Sequence, residues 1–150
     1  MILCHNLLEY VDDPTLVLRG AVRTLRGNSA ILSIVVRRQT VEVFKATIQA
    51  GDLTAAETNL SAEWEFESLD GGQVRLFTSV GLRAMSTSES SESIAERGVR
   101  VVADYLPPNI SRTAQYERMS ELERLLVAQL ECAAIARYTH CLARRRENRR

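Results

Sequence analysis

Apolar residues change their spacing along this chain, and each change of period predicts a different element. Residues 2–11 are apolar and short, and read as a first helical turn rather than a strand. Asp13 is a good N-cap and Pro14 suits the first helical position. Leu16, Val17, Ala21, Val22 and Leu25 then recur at helical spacing, so a helix is predicted over 14–26, closed by Gly27-Asn28. From there the period shortens. Residues 30–36 form a β-branched apolar run, 41–48 continue in strand-like composition, and 60–69 alternate, with Ala62, Trp64 and Phe66 on one face and Glu63, Glu65 and Glu67 on the other. Asp70-Gly71-Gly72 predicts a hairpin turn with its return strand over 74–82, and Asp52 a helical turn inside the otherwise ambiguous 48–59. These segments imply three or four antiparallel strands with one face buried and one wet.

Beyond Met85 the chain is Ser-rich and reads as a linker whose acidic surroundings, over 86–93, suit phosphorylation. Ser93-x-x-Glu96 has the form of a capping box, and Ile94, Val101, Val102, Tyr105 and Leu106 follow on one helical face before Pro107-Pro108. Neither Gly nor Pro occurs over 109–150. Met119, Leu122, Leu126, Leu130, Ala133, Ala134 and Tyr138 make a stripe, widened by Leu125 and Ile135, that predicts a long helix over about 111–145. At about 1.5 Å per residue it would reach roughly 50 Å, longer than a globule of this mass needs. Met119, Leu122, Leu126 and Leu130 are therefore the expected self-association surface. The expected fold class is α+β: an N-terminal helix, a small antiparallel sheet of three to four strands, a helix and the long C-terminal helix. Residues 1–108 form the core domain and 109–150 the helix with its basic tail, as one cooperative unit.

Charge sharpens this picture. Of the 19 cationic side chains 18 are Arg, and five of them fall in the final seven residues. A guanidinium is always ionised and presents a planar fork of donors matched to phosphate or carboxylate. A GC-rich genome explains the Arg-to-Lys ratio as readily as function does, but not the clustering at one end. Net charge is zero, with an acidic middle and basic ends. Leu, Arg and Ser, the residues with most codons, make up 48 positions, a bias that points to overlapping reading frames in a compact viral genome, with a GC-rich bacterial or phage source as the alternative.

Arg19, Arg23 and Arg26 fall at i, i+4 and i+7 on the first helix, and Arg137, Arg144, Arg145, Arg146, Arg149 and Arg150 lie on or just past the last. Both groups are candidate phosphate contacts, against the plainer reading of a solvated helix face and a frayed terminus. The row Glu63, Glu65 and Glu67 repels phosphate and is expected to pair across the sheet with Arg37, Arg38, Lys45 or Arg75. Trp64, the single Trp, reads as core, with a base-stacking platform as the alternative. Cys4-His5 and His140-Cys141 lack zinc-ligand spacing. The two histidines stand at opposite ends of the chain without an evident carboxylate to orient them, so catalytic residues, metal ligands and cofactors are expected to be none. Three cysteines without framework spacing, no apolar run long enough for a membrane span and no signal-peptide pattern predict an intracellular protein, in the cytoplasm and, where the basic tail serves as an import signal, in the nucleus.

The expected function is a non-enzymatic, self-associating accessory protein, viral by its composition, that binds nucleic acid, RNA before DNA, through arginine-bearing helices. Suppression of host RNA-based defence is a role such a device could serve. The rival expectation is a protein-interaction module or adaptor that packs its long helix on a partner, a host protein among the candidates, without nucleic acid.

Overall fold

A computed structural model describes residues 1–27, 29–67, 71–106, 115–129 and 131–146. The chain opens with a strand–helix–strand unit: β1 (Ile2–His5), α1 (Pro14–Thr24) and β2 (Ile31–Arg37), with β1 and β2 parallel. The predicted cap forms. The Asp13 carboxylate accepts from the amides of Thr15 at 2.8 Å and Leu16 at 3.2 Å, and Pro14 takes the first helical position. Helix α1 buries Leu18 and Val22, and Leu25 follows them into the core.

Next come α2 (Thr40–Phe44), a π-helical continuation (Lys45–Ala50), and α3 (Leu53–Asn59), which Asp52 caps as expected by accepting from Ala55 at 2.9 Å. Strands β3 (Trp64–Phe66) and β4 (Gln73–Arg75) form a two-stranded hairpin, α4 (Ser79–Ser88) leads into β5 (Ser91–Val99), and α5 (Tyr116–Val127), a 3-10 turn (Glu131–Ile135) and β6 (Tyr138–Arg145) complete the order. The main sheet runs β1-β2-β6-β5, so β6 is an interior strand, antiparallel to both neighbours. Leu32, Ile34 and Val36 of β2 point to one side with Cys4, Cys141 and Ala143, where α1 and Leu82 of α4 close the core.

The architecture is α+β, and several expected elements are corrected. The N-terminal segment is a strand, because Ile2 and Cys4 face the core beside Leu32 and Ile34. Residues 41–48 are helical: an apolar run of that length carries no decisive period, and Val41 and Ala46 are its buried residues. The return strand stops at Arg75, since Thr78 caps α4 by accepting from Gly81 at 3.0 Å; the expected Ser-rich linker is instead the end of that helix, through Ser88, and the start of β5, from Ser91. Ser93 and Glu96 do not cap a helix; both lie on β5, where Glu96 pairs with Arg38 at 3.2 Å.

The long C-terminal helix does not exist. Residues 116–127 are helical, but the chain turns and returns as β6, whose Thr139, Cys141 and Ala143 alternate inward between β2 and β5. Burying that strand satisfies its backbone donors and acceptors on both sides, which outweighs the moderate helix propensity of the segment. The turn before β6 lies so close to β5 that a Cβ on Gly98 would come within 2.6 Å of the Ala136 methyl. Helix α5 is anchored by one carboxylate, since Glu123 accepts from the amides of Val101 at 2.7 Å and of Val102 and Ala103 at 2.8 Å. The left-handed Arg100, with φ 59°, shapes the turn that aims these amides inward.

Candidate nucleic-acid interface

Because β6 ends beside the α4–β5 turn, the fold brings parts of the two arginine groups together. Arg19 and Arg23 of α1 and Arg145 at the end of β6 line one open groove of about 400 Å³ with Ser88, Glu89 and Ser90. More than 100 residues of sequence separate its basic walls. Arg19 is held at Glu89 by a two-point bond of 2.8 and 3.0 Å, which pushes the Glu89 carboxyl below its usual range. Among the described residues Arg23 and Arg145 have no carboxylate within ion-pair distance, so the groove keeps a positive surplus. Ser90 adopts a left-handed turn (φ 60°), its carbonyl accepting from the Arg146 amide at 2.8 Å. Of the serines expected to be modifiable, Ser86 and Ser91 are buried, while Ser88 and Ser90 are exposed at the groove.

The remaining candidates are scattered. Arg26 lies past the end of α1, because Leu25 is already extended, so the expected three-residue stripe stops at Arg23. Arg144 pairs with Glu92 at 2.6 Å on the sheet face opposite the core. Arg137 is half-buried against Asp104 at 3.0 Å and lies over the Tyr138 ring. Arg146 is exposed beyond β6, and Arg149 and Arg150 lie outside the described residues. None of the described tail arginines sits on a helix. Of the expected self-association residues, Met119, Leu122 and Leu126 lie on α5, where Leu122 is exposed and no residue is fully buried; Leu130 lies outside the described residues.

The β3–β4 hairpin reverses its expected polarity. Arg37, with its side chain only 6% exposed, donates to Glu65 at 2.9 Å and Glu67 at 2.8 Å, and Lys45 stands 3.6 Å from Glu65. The pairing partners are among those expected, but the carboxylates face inward and Trp64 and Phe66 outward, 44% and 67% exposed. Glu9, buried beneath, accepts from the Arg37 amide at 3.0 Å, and burial pushes its carboxyl up. Tyr10 donates to Glu67 at 2.7 Å and is pushed up to about 12 by that bond and by burial. Burial works against the Arg37 charge, but the bonds to Glu67 and Glu65 outweigh it and hold the proton more firmly than usual. An alternating strand cannot reveal which face is inside when the interior offers a buried cation.

Sequence reading also missed a convergence. His5 on β1 and His140 on β6 both place Nε2 2.8 Å from the hydroxyl of Ser33 on the strand between them, and their rings meet edge-on at 5.7 Å. Neutral rings satisfy this as a chain in which one imidazole donates to Oγ and the hydroxyl donates to the other. Burial, then the His5 and Arg97 charges, push His140 below the ordinary imidazole value. Ser33 is buried at 3% exposure, so the trio braces the sheet more readily than it exposes a nucleophile. Cys4 and Cys141 sit on the opposite face, and among the described residues no three His, Cys, Asp or Glu side chains group as metal ligands. The only possible signal for the trio was the alternation of strands not yet assigned.

No family model matches the chain, and no curated protein matches its sequence. Among the described residues no helix is long and apolar enough to cross a membrane. Chemically, the arginine groove offers two guanidiniums unpaired among the described residues and the Ser90 hydroxyl, while the Ser88 hydroxyl is committed to the Met85 carbonyl at 2.8 Å; the concavity still presents donors suited to phosphate oxygens.

Proposed function

We propose that this chain is a non-enzymatic nucleic-acid-binding protein that grips the phosphate backbone of RNA through Arg23 and Arg145. The observation that carries the reading is their convergence, from α1 and the end of β6, on one groove whose only carboxylate among the described residues, Glu89, is already held by Arg19. Single-stranded RNA is favoured over duplex DNA because β3 exposes Trp64 and Phe66, rings that suit unpaired bases better than paired ones. Self-association through the exposed Leu122 and Leu125 of α5 belongs to the same proposal, since two copies would double the phosphate contacts on one strand. Antagonism of RNA-based host defence is the role proposed if the source is viral. The test is a mobility-shift titration with single-stranded and duplex RNA, alongside light scattering. A single-strand shift that weakens steeply with salt supports the proposal; no shift with either RNA at low salt overturns it and leaves a protein-interaction module acting through α5.

A further inference from the structure

Strand β3 carries a second groove on its outward side. Trp64 stands opposite Arg75 in the hairpin register, and the guanidinium carbon lies 4.6 Å from the indole centroid. Beside this pair is an open groove of about 320 Å³, walled by Gln39, Ser61, Glu63 and Thr78 and floored in part by Met85. That volume is at the small end of ordinary ligand sites, the size of a single planar ring system rather than a peptide. An exposed indole with a guanidinium over it is a platform for a flat π-system, because both planes stack on aromatic faces.

The polar rim discriminates among flat ligands. The Gln39 amide nitrogen is committed to the Ala62 carbonyl at 2.8 Å, leaving its oxygen as an acceptor on the groove wall. The Thr78 oxygen accepts from the Gly81 amide, leaving its hydroxyl proton to donate. Glu63 is exposed, and among the described residues no cation lies within ion-pair distance of its two oxygens. Acceptors thus dominate the edge of the groove, and two of them belong to one carboxylate. Guanine is the common nucleobase whose pairing edge presents two parallel N–H donors, matching a carboxylate in a two-point bond. Adenine and cytosine alternate donor and acceptor there, and uracil offers a donor between two acceptors.

We propose that the Trp64–Arg75 groove is a guanine pocket, in which the base stacks on Trp64 and Arg75 and donates its N1 and N2 hydrogens to Glu63. In its natural setting, which rests on the RNA reading above, that base belongs to a strand whose phosphates run to Arg23 and Arg145. Helix α4 joins the two sites. Gly81 and Met85 line the guanine groove and Ser88 the arginine groove, and these residues fall at i, i+4 and i+7 on one face of the helix. Their span along the axis is about 10 Å, the reach of one or two extended nucleotides.

Trp64 is the single tryptophan, so its fluorescence reports the pocket directly. The full chain is titrated with guanosine, adenosine, cytidine and uridine 5′-monophosphates, with inorganic phosphate as control and with absorbance corrected. Saturable quenching by the guanosine nucleotide is expected, with the other three at least about tenfold weaker, the value of one lost two-point contact. Glu63→Gln should weaken guanosine nucleotide binding by a similar factor. Equal quenching by all four nucleotides, quenching by phosphate alone, no saturable change, or indifference to Glu63→Gln each overturns the pocket. RNA binding with no nucleotide response would sink the pocket while sparing the arginine groove. Nucleotide binding without any RNA shift would leave a free-nucleotide site and remove the RNA reading. A guanosine-containing trinucleotide that binds more tightly than the mononucleotide, with the gain lost in Arg23→Gln/Arg145→Gln, assigns the base to a strand.

Discussion

Replacing Arg37 with Met removes the one cation that Glu65 and Glu67 both bind directly, while keeping nearly the same stem in the same place. The guanidinium is 6% exposed and its partners 17% and 13%, so solvent screens these pairs little. Glu9 lies below them at 2% exposure with one carboxylate oxygen already lacking a partner. Removing one member of a buried ion pair costs about 3–5 kcal/mol, because the survivors remain charged and desolvated. That is a large share of the roughly 5–15 kcal/mol that keeps a domain folded. Urea unfolding followed by Trp64 emission measures it, and a lower midpoint at unchanged slope is expected. In Arg37→Met/Glu65→Gln/Glu67→Gln the stranded charges are gone, and at least half of the lost stability should return. A single-variant loss below about 1 kcal/mol, the range of exposed pairs, would refute the inward orientation of the carboxylates, as would a triple variant no more stable than the single.

Other consequences follow from the sheet. Since the native pKa of His140 is depressed below the free value, the unfolded chain binds the proton first as pH falls below about 6.5. Stability should therefore be complete above that pH and decline below it, by at most about 1.4 kcal/mol per pH unit for one proton, and His140→Gln should flatten that part of the profile in urea unfolding. Gly98→Ala should cost about 1–3 kcal/mol in the same assay, because the added methyl meets the Ala133 backbone at 2.9 Å as well as Ala136. A neutral effect would mean that the 3-10 turn is not packed on β5.

What the sequence disclosed depended on how local the cause was. Asp13-Pro14 and Asp52 announce the starts of α1 and α3 because a cap is made by neighbours in the chain; β2 was legible in its own β-branched run, and the β3–β4 hairpin in Gly71-Gly72, with Asp70 outside the described residues. Strand β6 was not, since Thr139, Cys141 and Ala143 acquire an inside only when β2 and β5 flank them. The arginine candidates divide along the same line. Composition marked Arg23 and Arg145 as cations, but only the fold brings them to one groove while committing Arg137, Arg144 and Arg19 to carboxylates. Trp64 and Glu65 kept their alternation and exchanged faces, because the buried Arg37 lies 28 residues upstream of its partner.

The most direct test of the phosphate-binding claim is the slope of log affinity against log salt for a single-stranded RNA, measured with the native protein and with Arg23→Gln/Arg145→Gln. Each phosphate contact that is lost should lower the slope by about 0.7, so the double variant should fall by about 1.4 with folding intact by circular dichroism. An unchanged slope and affinity would contradict the assignment of these two arginines to the RNA backbone.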